Sequence, residues 1–197
     1  RGDGLLLSIA DPLHPVVLQR IRDANVAFWH SGIFDNDATA VVFQDELGDG
    51  FINTCSPAFG GDRGADAMWT FDEGGSLVHR SYFKIPREQS DLEKCVSHSG
   101  GLIPPVPDRF VIAQAWLEGG VSVIDFTDPA APVELTFFDR PTYGYSMPYT
   151  AGVWAVYFYD GYLYASDMYE GLEVLRLTDP MFADAAGTTG RAESAVA

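Results

Sequence analysis

Basic residues are scarce in this sequence of 197 residues. Twelve lysines and arginines stand against 28 aspartates and glutamates, which gives a formal net charge of −16. Such a surface repels the phosphates of nucleic acids and anionic lipid headgroups, so neither is expected as a partner. Cationic partners and metal ions such as calcium are compatible with it. A plain solubilising surface of a secreted or salt-adapted protein explains the charge equally well.

Long hydrophobic runs are also missing, because the apolar stretches are short and end at Asp, Gly or Pro. No membrane span is therefore expected. Apolar residues nevertheless make up 47% of the chain and aromatic residues 13%, which excludes a disordered protein. A chain of this length and composition is expected to bury a substantial core.

Cysteine is rare, with Cys55 and Cys95 as the only two. In a β-rich chain with long loops, this pair favours a single disulfide in an oxidising compartment, whereas a zinc site would want more thiols or a close histidine pair. Two free thiols are the alternative. We therefore expect a secreted, extracellular or periplasmic protein. No signal peptide is visible and the chain begins inside a strand-like repeat, so we expect the natural N-terminus to lie upstream.

The sequence does contain a repeated unit. A glycine, an alternating apolar run over residues 121–126 and the corner Asp128-Pro129 predict two β-strands joined by a tight turn. A strand followed by Asp-Pro recurs at Asp11-Pro12 and at Asp179-Pro180. Repeats of roughly 40 to 50 residues with four strands each are typical of β-propeller blades.

The strands and turns divide the chain into propeller-like units. The predicted fold is all-β, a partial β-propeller of about three to four blades of four-stranded antiparallel sheet. Blade remnants are expected at 1–22, 26–83, 95–139 and 151–180, followed by a flexible tail at 181–197. Among their strands we expect 77–83, 96–103, 133–138 and 162–167. Because a propeller must close to hide its strand edges, we expect either a fragment of a larger propeller or a ring that other chains complete.

The repeat also indicates a family. Its glycine, its strand and its Asp-Pro-x-x-Pro corner, as at Gly120, Asp128-Pro129 and Pro132, resemble the LVIVD-repeat proteins, which are bacterial and often secreted β-propellers. The resemblance runs from about Gly4 to Pro180. It implies a secreted or periplasmic binding or scaffold module, with a protein or a small molecule as its ligand. It implies no activity that the family shares.

Two His-Ser-Gly triplets, at His30 and His98, fall on the first strand of their units, and Trp154 takes the equivalent place in the last unit. In a propeller these strands line the central channel, so both histidines are expected to face one axis. A divalent metal, either calcium or a transition metal, fits such a pair. The candidate oxygen donors on the following strands are Asp45, Glu46, Gln114 and Asp167. Alternatively, the histidines are structural and bond a neighbouring blade's backbone.

Three aromatic residues, Trp29, Trp116 and Trp154, are candidates for stacking a ligand such as a sugar, with packing between blades as the alternative. Serine–histidine catalysis is disfavoured, because no Gly-x-Ser-x-Gly elbow is present and neighbours on a strand point to opposite faces. The chain is thus predicted to be a non-enzymatic binding module. The alternative is a metal-dependent hydrolase or oxidase that uses His30 and His98.

Overall fold

The computed structural model describes residues 3–47, 54–55, 59, 62–87, 93–104, 106, 108–140 and 152–185. Within these residues the chain forms four antiparallel β-sheets. The first sheet contains β1 (Gly4–Ser8) and β2 (Val16–Ile21). The second contains β3 (Trp29–Phe34), β4 (Ala40–Asp45), β5 (Asp66–Phe71) and β6 (Leu77–Phe83). The third contains β7 (Gly101–Leu102), β8 (Val111–Ala115), β9 (Val121–Asp125) and β10 (Val133–Phe138), and the fourth β11 (Val153–Tyr159), β12 (Tyr162–Asp167) and β13 (Gly171–Arg176).

Every sheet is a meander in which strands pair in chain order. The all-β fold class agrees with the sequence prediction. β7 is shorter than the strand predicted from Val96 to Ile103, because the segment before it divides its hydrogen bonds between two sheets. The His98 amide donates to Ala115 O of the third sheet at 3.0 Å, whereas Ser99 O accepts from a backbone amide of β11 at 3.2 Å.

The three Asp-Pro corners have one structure. In each, the aspartate carboxylate accepts a hydrogen bond from the backbone amide two residues further along the chain, at 3.1 Å for Asp11, 3.0 Å for Asp128 and 2.9 Å for Asp179. Each aspartate carbonyl also accepts from the amide three residues on. These are Asx turns, which explains why the repeat keeps an aspartate before its proline.

The sheets pack face to face in the order of the chain, with apolar clusters between neighbours. The third sheet is buried on both faces: Val121 and Val123 of β9 join the cluster shared with the fourth sheet, whereas Ile124 joins the one shared with the second. This double burial explains why the apolar run at 121–126 does not alternate strictly with polar residues.

Gly120, which opens the central repeat, occupies a position that no other residue fits well. Its φ of 75° lies in the left-handed region, and a Cβ there would lie 2.2 Å from Phe138 O. The glycine therefore allows β9 to start directly against the end of β10.

The end of the fourth unit differs from the prediction of a flexible tail from residue 181 onward. The segment Pro180–Ala185 forms a short 3-10 helix, and Phe182 is buried in the cluster between the third and fourth sheets. The apolar side chain of Phe182 anchors this segment to the core. Residues 186–197 lie outside the described residues.

Cys55 and Cys95 form a disulfide, as the sequence predicts. The backbone around it is cross-linked further, since Thr54 Oγ1 accepts from the Cys95 amide at 3.1 Å and the Thr54 amide donates to Glu93 O at 3.1 Å. Among the described residues, no helix has both the length and the apolar character needed to cross a bilayer.

Candidate metal centre

The first segments of the second, third and fourth sheets meet side by side. Ser99, just before β7, forms a parallel bridge with Ala155 of β11. The amide of Val153 in β11 donates to Leu117 O at 2.9 Å, and β3 contacts β7. The repeat positions predicted to be equivalent are thereby brought into one region.

Three rings are in contact in this region. The imidazole centroids of His30 and His98 are 4.2 Å apart, and the ring centroid of Trp154 is also 4.2 Å from that of His98. His98 is completely buried, whereas nearly half of Trp154 is exposed. The two His-Ser-Gly triplets therefore meet in space, as the repeat predicts.

Backbone irregularities orient two of these rings. The register of β3 against β4 shifts at His30, and the register of β11 against β12 shifts at Trp154. A β-bulge leaves one residue without a ladder partner and re-aims its side chain. His30 and Trp154 therefore occupy the same irregular position in their two sheets.

Glu46 completes a cluster with the two histidines. Its Oε1 lies 3.3 Å from His98 Nε2, and its Oε2 lies 3.7 Å from His30 Nε2. One ligand atom from each of the three side chains lies within 4.8 Å of the others. Among the described histidines, cysteines and carboxylates, no other group of three or more comes this close together.

A backbone carbonyl orients the ring of His98. Its Nδ1 lies 2.6 Å from Trp154 O, and because a carbonyl oxygen only accepts, Nδ1 carries the hydrogen. Nε2 is buried and has no hydrogen-bond partner in the described part of the chain. A histidine that donates from one nitrogen to a carbonyl and leaves the other free has the arrangement of a metal ligand.

His30 is also suited to act as a ligand. Burial lowers its pKa, the neighbouring His98 lowers it further, and Glu46 acts in the opposite direction. The lowered pKa favours the neutral imidazole, which is the form that binds metals. Its Nδ1 is buried without a hydrogen-bond partner among the described residues.

The other three predicted oxygen donors have different roles. Asp45 accepts hydrogen bonds from the amides of Ala27, Phe28 and Gly64, at 2.9–3.0 Å, and thus holds the segment before β3 and the segment before β5 together. Its carboxylate is occupied by these amides, and Asp45 does not belong to the cluster of His30, Glu46 and His98.

The Gln114 amide is similarly occupied. Its nitrogen donates to His98 O at 3.1 Å, and its oxygen accepts from Gln44 Nε2 at 3.0 Å. A Cβ on Gly100 would lie 2.5 Å from the Gln114 oxygen, which explains the glycine of the second triplet. Asp167 accepts from the amides of Tyr169 and Glu170 in the turn after β12.

The three tryptophans predicted to stack a ligand differ in exposure. Trp116 is completely buried in the cluster between the second and third sheets, so no face of its ring is open to a ligand. Trp29 packs against Phe43, with ring centroids 5.2 Å apart. Of the three, Trp154 has the exposure and the position beside His98 that ligand stacking requires.

A buried carboxyl group lies close to this region. Asp66, at the start of β5, accepts a hydrogen bond from Ser97, the residue before His98, while its second oxygen has no partner among the described residues. Burial raises the pKa of Asp66 to about 8, against a smaller lowering by Ser97. No sequence pattern marks this residue, because only its tertiary environment is unusual.

Asp66 is expected to make the fold less stable as pH rises. Between its unfolded pKa of 3.8 and its folded pKa of about 8, the unfolded chain releases a proton that the folded protein retains. The free energy of unfolding should therefore fall by up to about 1.4 kcal/mol per pH unit through this window. Urea denaturation from pH 4 to pH 8 should show a shallower decline for Asp66→Asn than for wild type. Parallel curves for the two proteins would contradict this assignment.

No family model and no curated protein matches the chain. A protein from Lactobacillus plantarum, solved as a target of the Northeast Structural Genomics Consortium, is similar in structure, with 13% sequence identity and a TM-score of 0.32. The match covers 83% of this chain and 56% of that one, so the chain spans little more than half of that protein's length.

Proposed function

We propose that this chain is part of a secreted β-propeller of the LVIVD-repeat type that acts as a binding module, with a divalent transition metal held by His30, Glu46 and His98. The observation that carries the metal proposal is the buried Nε2 of His98, which faces Glu46 at 3.3 Å without a hydrogen-bond partner among the described residues. A metal ion would satisfy both groups at once.

Several features support the propeller. Four meander sheets follow one another and pack face to face in chain order. Three Asp-Pro corners, at Asp11, Asp128 and Asp179, repeat one turn, and the starting segments of three sheets meet at the histidines. A ring of this kind needs further strands, from a longer chain or from other chains, to cover its open edges. The disulfide supports secretion.

The donor set favours a transition metal such as zinc over calcium. Two imidazoles and one carboxylate suit Zn²⁺ and its neighbours, whereas Ca²⁺ takes six to eight oxygen ligands. In a tetrahedral site with bonds of about 2.0–2.1 Å, neighbouring ligand atoms lie about 3.3 Å apart. Glu46 Oε1 and His98 Nε2 already have this separation, at 3.3 Å, and since one ligand atom from each of the three side chains lies within 4.8 Å of the others, the site would contract on binding an ion.

Metal binding can be tested directly. Metal-free protein should bind Zn²⁺ in isothermal titration calorimetry, and Glu46→Gln should weaken binding by at least about 100-fold. Loss of a direct ligand is expected to cost more than the roughly 10- to 100-fold loss caused by changes in the outer shell. His30→Gln should have an effect of the same order.

His79→Gln is the matched control for these variants. His79 is also partly buried and stacks on Tyr82 with ring centroids 4.2 Å apart, but it belongs to no metal-type cluster of described residues. Its variant should bind Zn²⁺ as wild type does. Wild-type affinity in Glu46→Gln would overturn the metal proposal and leave the structural explanation, in which His98 only bonds Trp154 O.

A metal-dependent hydrolase or oxidase is the second candidate function. The observation that favours it is the number of protein ligands, because catalytic zinc sites keep three ligands and structural zinc sites use four. An enzyme would lose turnover in Glu46→Gln together with its metal.

A further inference from the structure

We infer that the metal bound by His30, Glu46 and His98 keeps one coordination position open, and that this position takes a monoanionic oxygen ligand, a carboxylate whose planar body stacks on Trp154. This inference rests on the proposed metal centre and adds the class of ligand that the centre would bind. It follows from the donor count, the charge and the exposure of the cluster.

The donor count leaves the coordination incomplete. His98 has one nitrogen available, because the other donates to Trp154 O. In the described part of the chain, the cluster contains no fourth histidine, cysteine or carboxylate. A tetrahedral ion held by three protein ligands binds water or an exogenous molecule in its fourth position.

The charge of the centre selects the ligand. Two neutral imidazoles and one carboxylate reduce the charge of a divalent ion to about +1, so that one monoanion neutralises the site. The rest of the protein is acidic, with a formal net charge of −16, and repels multiply charged anions such as phosphates. A carboxylate with a single charge meets both conditions.

The exposure of the side chains indicates the direction of entry. The side chains of His98 and Glu46 are 0% and 8% exposed, whereas that of His30 is 26% exposed. Trp154, 47% exposed, places its indole in contact with His98. A ligand that binds the metal beside His98 would have this partly open indole one ring away, and a planar group stacks favourably on such a surface.

The test uses the whole chain loaded with Co²⁺, whose visible absorption reports its coordination. Azide and benzoate, two monoanions, should each change the Co²⁺ spectrum with saturation, while the neutral benzamide should not. Trp154→Ala keeps the backbone oxygen that orients His98. This variant should weaken the binding of benzoate by about 3- to 10-fold and leave the binding of azide unchanged, because only benzoate has a ring to stack.

The outcomes separate this inference from the proposed function. Protein that binds Co²⁺ but gives no spectral change with azide or benzoate would overturn the open position, while the metal centre would stand. Equal benzoate affinity in wild type and Trp154→Ala would overturn the role of the indole. Absence of Co²⁺ and Zn²⁺ binding, measured by metal analysis after gel filtration, would overturn the metal centre itself and this inference with it.

Discussion

Replacing Trp116 with alanine is expected to lower the free energy of unfolding by about 4 kcal/mol, within the range of roughly 3–5 kcal/mol for large aromatic residues in a core. Trp116 is completely buried between the second and third sheets, where its ring centroid lies 6.1 Å from that of Phe83. Truncation removes the apolar contacts of the ring and leaves a cavity that the sheets on either side cannot fill. Urea denaturation followed by circular dichroism measures the loss.

Trp154→Ala provides the comparison for Trp116→Ala. It removes the same atoms from a residue that is 47% exposed and whose ring contacts that of His98. Its cost should be well below that of Trp116→Ala, because nearly half of the indole is already in water and less apolar area is lost. If both variants lost the same stability, Trp116 would not be the core residue that the structure describes.

Loss of the disulfide between Cys55 and Cys95 is expected to cost about 4 kcal/mol. The two cysteines are 40 positions apart, and a cross-link of this span restricts the unfolded chain by that amount in the loop-entropy treatment. A Cys55→Ala, Cys95→Ala double variant should unfold at correspondingly lower urea concentration than oxidised wild type. The bond also ties Cys55 to the segment that leads to His98.

Reduced wild-type protein is the control for this double variant, and the two should unfold at similar urea concentrations. Any remaining difference between their unfolding midpoints reports the loss of the larger cysteine side chain at position 95, which is completely buried. Alkylation of both cysteines under denaturing conditions without reductant would contradict the disulfide.

Most strands could be predicted from the sequence, because their signals are local. The strands Leu77–Phe83, Val133–Phe138 and Tyr162–Asp167 have the predicted bounds. Asp160-Gly161 joins β11 and β12 as a two-residue hairpin, as its turn chemistry predicts. The prediction for β7 was too long, because the residues before it pair partly with a different sheet. A local sequence pattern does not show a partner that is distant in the chain.

The candidate site was predictable in part. Repetition of His-Ser-Gly indicated that His30 and His98 meet, since equivalent positions in a repeat occupy equivalent places in space. The choice of Glu46 among four oxygen donors depended on a bulge at His30, which shifts the register of one strand pair. The free Nε2 of His98 depended on a carbonyl contributed by a strand 56 positions away.

By itself the sequence determined the all-β class, the repeated Asp-Pro corner, the pairing of its two cysteines and the two histidines worth examining. These features depend on residues that are adjacent along the chain or equivalent in a repeat. The tertiary structure decided which carboxylate joins the histidines, which tryptophan is exposed and which aspartate is buried with a raised pKa. The physical reason is that burial, bulges and contacts between sheets are set by segments that are distant in the chain.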